Sequence, residues 1–137
     1  MTRSKLVKKL DKLFSLYIRN RYSKNGKAKC FTCGKVDDIK RLHAGHFMSR
    51  KHHSTRWDEI NVQVQCPKCN LFGQGEQYTF GKNLDKKYGK GTADKLQRKA
   101  RKVVKLSTND LKELIEEQNS SIEALKDQLS SIEKKIK

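Results

Sequence analysis

Apolar residues recur at steps of three and four near the start of the chain. Leu6, Leu10, Leu13, Phe14, Tyr17 and Ile18 fall on one stripe, with Lys and Arg elsewhere, and predict an amphipathic helix over residues 4–22. Ser4 is placed to cap it, and Asn25-Gly26 marks its exit. The stripe reads as core; the basic face is either solvated or set against a nucleic-acid backbone. Residues 30–42 suggest a short hairpin-like segment turning at Asp37-Asp38, and 42–48 a strand carrying His43 and His46 into a cleft. A polar, basic loop follows from Ser49 to Arg56 and ends at Trp57, with Thr55 or Asp58 opening a short helical turn before Asn61. Residues 75–88 predict a helix carrying Tyr78, Leu84 and Tyr88, weakened by Gly81. After the Gly89-Lys-Gly91 break, Thr92 caps a helix to about Leu106. Ala93, Leu96, Ala100, Val103 and Val104 lie on one side of it and a dense Lys/Arg row on the other.

The last thirty residues change pattern. Leu111, Ile115, Ile122, Leu125, Leu129, Ile132 and Ile136 alternate steps of four and three, with Gln118 in the missing position and Ser107 or Thr108 as cap. That is a heptad seam, and it predicts a coiled-coil-like helix that pairs two chains, or else one that folds back on its own domain or frays in isolation. The fold class is α+β. The expected divisions are an N-terminal helix (1–29), a zinc-bound core (30–75), a basic helical extension (76–106) and the heptad helix (107–137).

Charge narrows the partners. Residues 1–106 hold 27 Lys and Arg against 8 Asp and Glu, a net of +19, whereas residues 107–137 net −2. Such a balance favours a polyanion, because phosphate contacts release counterions; a merely solubilising surface is the blander alternative. Basic residues spread along the chain rather than gathered on one helix face argue against membrane-surface binding. No apolar run is long enough to span a bilayer, and no signal peptide is apparent, so a soluble protein of a reducing cytoplasm is expected. With 34% hydrophobic residues the core must be small, and small cores commonly need a staple.

The cysteines supply one. Cys30-Phe-Thr-Cys33 and Cys66-Pro-Lys-Cys69 use all four, and two such knuckles can set four thiolates around one tetrahedral zinc. A disulfide framework, a redox dithiol or four unrelated thiols are the alternatives. Between and beside the knuckles stand His43, His46, Asn61 and Asn70. Phosphodiester hydrolysis needs a base for water and a cation for developing charge; imidazole suits the first task, and an Asn carbonyl suits a hard cation such as Mg²⁺. Singly, each of these residues is more often structural.

In that order and register the residues resemble the HNH endonucleases of the ββα-metal fold, since Asn61-Val-Gln-Val-Gln-Cys66-Pro-Lys-Cys69 matches their Asn…Cys-x-x-Cys pattern. Asn70 replaces the usual final His, as in the phage resolvase endonuclease VII. A closer similarity is to the phage NinG (Rap) recombination nucleases, carried by Lys9–Arg19, Cys30–Gly34, Ala44-Gly-His-Phe47, Thr55–Asp58, Asn61–Asn70, Gln77-Tyr78 and Lys87–Gly89. It covers roughly residues 6–90 and leaves the tail outside. The resemblance implies His46 as general base, Asn61 holding the loop or orienting His46, Asn70 as a ligand of a catalytic Mg²⁺ or Mn²⁺, and Cys30, Cys33, Cys66 and Cys69 around structural zinc. It further implies branched DNA, such as Holliday junctions or D-loops, and a phage or prophage protein in a bacterial host.

Two positions depart from the pattern. Gly45 stands where many HNH enzymes have Asp, and His43 where relatives often have Asp, which makes His43 a second candidate metal ligand suited to a softer ion. Asp58 or Glu59 are further candidates. Arg50, Lys51, His53 and Arg56 flank the site as candidate phosphate contacts, a solvated loop being the alternative. If the tail paired two chains, two sites could cut opposing strands. A non-catalytic zinc-finger DNA-binding protein dimerising through its tail, or a bridging module that binds DNA weakly, are the competing classes.

Overall fold

The computed structural model describes residues 1–136, with side chains through Gln128. Its elements in chain order are helix α1 (Arg3–Asn20), strands β1 (Lys27–Lys29), β2 (Val36–Asp38) and β3 (His43–His46), short helix α2 (His53–Arg56), strand β4 (Val62–Gln65), and helices α3 (Gln77–Tyr88), α4 (Thr92–Ala100) and α5 (Thr108–Ile136). One turn of 3-10 helix (Ile39–Arg41) precedes β3, and one π-helical turn (Lys68–Phe72) follows β4. The mixed α+β class is observed.

α1 buries Leu6, Leu10, Phe14 and Ile18, the expected stripe, with Leu13 and Tyr17 half-buried beside them. Its cap is Thr2 rather than Ser4: the Thr2 hydroxyl accepts from the Lys5 amide, and Ser4 lies inside the helix. β1 and β2 pair antiparallel, Lys27 opposite Asp38 and Lys29 opposite Val36. Asp37 and Asp38 therefore lie in a strand, not at its turn, and the Asp38 carboxylate instead caps the 3-10 turn through the Lys40 amide.

β3 and β4 pair antiparallel, His43 opposite Gln65 and His46 opposite Val62. The Val-Gln-Val-Gln alternation of β4 has the look of a half-exposed strand, yet all four side chains are buried. Gln63 donates to the Ile60 carbonyl and the Tyr88 hydroxyl and accepts from Arg21, while Gln65 donates to the Thr32 hydroxyl and the Gly75 carbonyl. Partners of this kind lower the cost of lying inside, although the Gln65 side-chain oxygen is buried with no hydrogen-bond partner among the described residues.

The core is divided. Cys30, Cys66 and Cys69 pack with Ala28, Leu42 and Val64; Phe14 and Ile18 of α1 cover Ala44 and Val62 of the β3–β4 pair; Phe47 packs on Phe80, Leu84 and Leu96. Gly81 does not break α3. A Cβ there would sit 3.3 Å from the Phe47 ring, so glycine lets the helix approach that ring closely. α4 ends at Ala100, short of the expected Leu106, and Val103 and Val104 are exposed outside it.

α5 lies along α1. Leu111 and Ile115 pack on Leu6 and Leu10, and further along both helices Leu16 and Asn20 meet Ile122 and Leu125, so the two run parallel. Arg3 donates to the Leu106 carbonyl at the shared end. The first half of the heptad seam is thus filled within the chain. Gln118 has a side-chain nitrogen buried with no hydrogen-bond partner among the described residues. The seam positions Leu129, Ile132 and Ile136 lie outside the described side chains. No helix among the described residues is long and apolar enough to cross a membrane.

Candidate functional site

Two centres stand out, a cysteine cluster and a polar cleft. In the first, the sulfurs of Cys30, Cys33, Cys66 and Cys69 all fall within 4.8 Å of one another, and Cys33 and Cys66 are 3.7 Å apart. Four sulfurs about 2.3 Å from a tetrahedral zinc stand roughly 3.8 Å from each other, whereas a disulfide holds them at about 2.05 Å. The cluster therefore fits a structural zinc and not a disulfide framework. Four thiolates at such close range would repel one another and call for a cation among them. Thr32 supports the set: its hydroxyl accepts from Gln65 at 3.1 Å and lies 3.4 Å from the Cys30 sulfur, placed to donate to it.

The second centre is a cleft of about 660 Å³ lined by His46, Arg50 and Asn70 together with Leu71, Gly75 and Gln77. β3 brings His46 to it. The Nε2 of His46 lies 3.0 Å from the Arg56 carbonyl; donating there leaves Nδ1 as the free lone pair. Burial, reinforced by the nearby Arg50 charge, holds the imidazole down to about 4, so it is neutral near pH 7. Asn70 belongs to the π-helical turn. Its side-chain nitrogen is 3.0 Å from His43 Nδ1, but His43, expected in the cleft with His46, does not itself line it. The pair offers one imidazole nitrogen and, with the amide turned over, one carbonyl oxygen to a shared cation. Among the described residues no carboxylate joins them. Asp58 pairs with Lys99 at 2.5 Å and caps the Ile60 amide, and Glu59 is an exposed residue by Tyr17 and Arg21.

Asn61 is fully buried and does not line the cleft. Its amide donates to the carbonyls of Met48 and Thr55 at 3.0 and 2.9 Å and accepts from the Met48 amide at 2.8 Å. It ties both ends of the basic loop together and acts as a positioning residue. Of the four expected phosphate contacts, Arg50 and Lys51 are exposed. His53 packs near the Trp57 ring, with centroids 5.6 Å apart. Arg56 is taken up inside the chain: Nε and Nη2 donate to Asp11 at 3.0 and 2.5 Å, and Nη1 donates to the Arg50 carbonyl.

Two residues that organise the site were not anticipated. Asp11 of α1 holds both Arg56 and the Trp57 indole N–H, the latter at 2.9 Å. The signal was present, since Asp11 is the single acid in residues 1–36. Gln65 is the other. A Cβ on Gly45 would fall 1.8 Å from its side-chain oxygen, so the glycine at this position makes room for the buried amide that joins Thr32 of the zinc knuckle to Gly75 of the cleft.

Comparison with curated proteins and with solved structures finds no match. A family model, that of the bacteriophage lambda NinG protein, matches residues 1–128, which takes in the cleft, both knuckles and most of α5, well beyond the 6–90 expected from motifs. On that span, nearly the whole of the sequence, the chain belongs to the NinG family.

Proposed function

We propose that this chain is a zinc-stabilised, metal-dependent DNA endonuclease of HNH type acting on branched recombination intermediates. The observation that carries the reading is the meeting of His43 and Asn70 at 3.0 Å beside the cleft that holds His46. His43 and Asn70 would hold a divalent cation, Mg²⁺ or Mn²⁺, whose chemistry is to neutralise charge on the phosphate and leaving oxygen. His46 keeps its tautomer through the Arg56 carbonyl and presents Nδ1 to take a proton from the attacking water. Asn61 fixes the loop that carries Arg50, and Arg50 and Lys51 would hold phosphates. Cys30, Cys33, Cys66 and Cys69 would bind the zinc that sets the π-helical turn, and Asn70 with it, against β3.

A second reading has its own support. Among the described residues only the four cysteines gather three or more His, Cys, Asp or Glu side chains, so the candidate catalytic pair lacks the carboxylate that hard cations favour. A non-catalytic zinc-finger DNA-binding protein would need none. The test is cleavage of labelled four-way junction, linear duplex and single-stranded DNA by wild type, His46→Ala and Asn70→Ala, with Mg²⁺, with Mn²⁺ and with neither. We expect metal-dependent cutting of the junction that falls about 100-fold or more in His46→Ala. Tight binding without cleavage under either metal would favour the second reading.

A further inference from the structure

The segment just after Cys69 turns large apolar side chains outward. Leu71 is 60% exposed, Phe72 84% and Tyr78 80%. Single exposed apolar residues are ordinary, but three within eight positions, beside a polar cleft and in a basic chain, are not. Leu71 itself lines the cleft with His46 and Asn70, and Phe72 is the next residue.

The backbone that presents them is held in a disfavoured shape. Gln74 (φ 54°), Gly75 (φ 85°) and Glu76 (φ 49°) are consecutively left-handed, two of them without the freedom of glycine. The Gly75 amide donates to the Cys69 carbonyl at 2.8 Å, and the Gly75 carbonyl accepts from buried Gln65 at 2.9 Å. Gly75 thus ties the rim both to the zinc knuckle and to β4. Positive charge flanks it, with Arg50 in the cleft, exposed Lys68 at the start of the π-helical turn, and Lys82 with its ammonium 5.3 Å from the Tyr78 ring.

An intact duplex offers this rim phosphates and groove edges but no open ring face, because its bases are stacked on each other. Only an unstacked base can cover an exposed phenyl ring while its two flanking phosphates reach lysine and arginine. We propose that Phe72, supported by Leu71, stacks on an unpaired nucleobase beside the cleft, and that these two residues set a preference for DNA with unpaired positions. The proposal rests on the reading of the cleft as a DNA-cleaving site only for where the strand lies, not for any chemical step.

The experiment therefore measures binding, by fluorescence anisotropy with no divalent metal added, so that nothing is cut. Full-length wild type, Phe72→Ala and Phe72→Trp are compared on a matched duplex and on the same duplex with a short single-stranded gap carrying 2-aminopurine. Because Phe72 is so exposed, neither substitution removes core packing. Phe72→Ala is expected to weaken binding to the gapped DNA about tenfold and to the matched duplex by less than about twofold. Phe72→Trp should retain the preference and, like the wild type, alter the 2-aminopurine emission, which Phe72→Ala should leave unchanged. Equal losses on both DNAs, or none on either, would overturn the proposal. So would a Phe72→Ala variant that binds DNA as the wild type does but changes its sedimentation, since the patch would then serve protein contact. A chain that binds the gapped DNA through Phe72 yet never cleaves would leave this inference standing and remove the nuclease reading alone.

Discussion

His46 is a histidine that folding keeps uncharged. Its imidazole is held down to about 4 by burial and by the Arg50 charge, against an ordinary 6.5. Between those two values the unfolded chain takes up the proton first, so stability rises with pH across the window and is lost as pH falls through it. The full shift corresponds to about 3 kcal/mol. Acid also protonates zinc thiolates, so the histidine must be isolated by difference: wild type should lose about 3 kcal/mol more than His46→Gln when denaturant midpoints at pH 7 and pH 4 are compared. Equal losses would mean that the imidazole is solvated rather than buried. Gly45 and Gln65 make a second residue-scale case, because a methyl group on Gly45 and the Gln65 amide cannot share one space. Gly45→Ala should cost about 2 kcal/mol or more, and combining it with Gln65→Ala should recover at least about 1 kcal/mol relative to the sum of the single changes, measured by urea unfolding.

At the scale of elements, α5 is where packing rather than pattern decides the outcome. A heptad seam specifies a stripe and leaves open which helix covers it; here α1 presents Leu6 and Leu10 in parallel alignment and takes Leu111 and Ile115. Leu111→Ala should therefore destabilise the whole chain by about 3 kcal/mol. A midpoint that stays constant over a roughly hundredfold range of protein concentration would follow from intramolecular packing; one that rises with concentration would assign the seam to a second copy. The same logic separates what could be read from the sequence from what could not. α1, the β3 strand, α3 and the cysteine cluster follow from stripes, spacing and turn residues, all of them local. The early end of α4 has no mark in the apolar pattern, which runs on through Val103 and Val104, both exposed beyond Ala100. The burial of Gln63 and Gln65 depends on Arg21, Tyr88, Thr32 and Gly75, partners that alternation along one strand cannot reveal. The π-helical turn that sets Asn70 against His43 has no signature beyond the knuckle it continues.

Over the whole molecule, a net charge of +17 overstates what is free to meet the DNA proposed as its partner. Arg56 is held by Asp11, Lys99 by Asp58, and Arg21 donates to the carbonyls of Glu59 and Val62 as well as to Gln63. Arg50 and Lys51, by contrast, stand exposed on the loop beside the cleft. Arg50 and Arg56, both on that loop, should thus respond in opposite ways. If Arg50 contacts a phosphate, Arg50→Ala should weaken binding to every DNA alike and make the slope of log affinity against log salt shallower by about one, with little change in unfolding. Arg56→Ala should leave that slope within error while lowering stability by about 3 kcal/mol, because it leaves the Asp11 carboxylate half-buried without its cation. Salt titrations followed by anisotropy, paired with thermal unfolding of the same samples, separate the two effects. Should Arg56→Ala flatten the slope instead, its guanidinium must leave Asp11 when DNA arrives, and the basic loop would be a surface that rearranges on binding rather than one preset by α1.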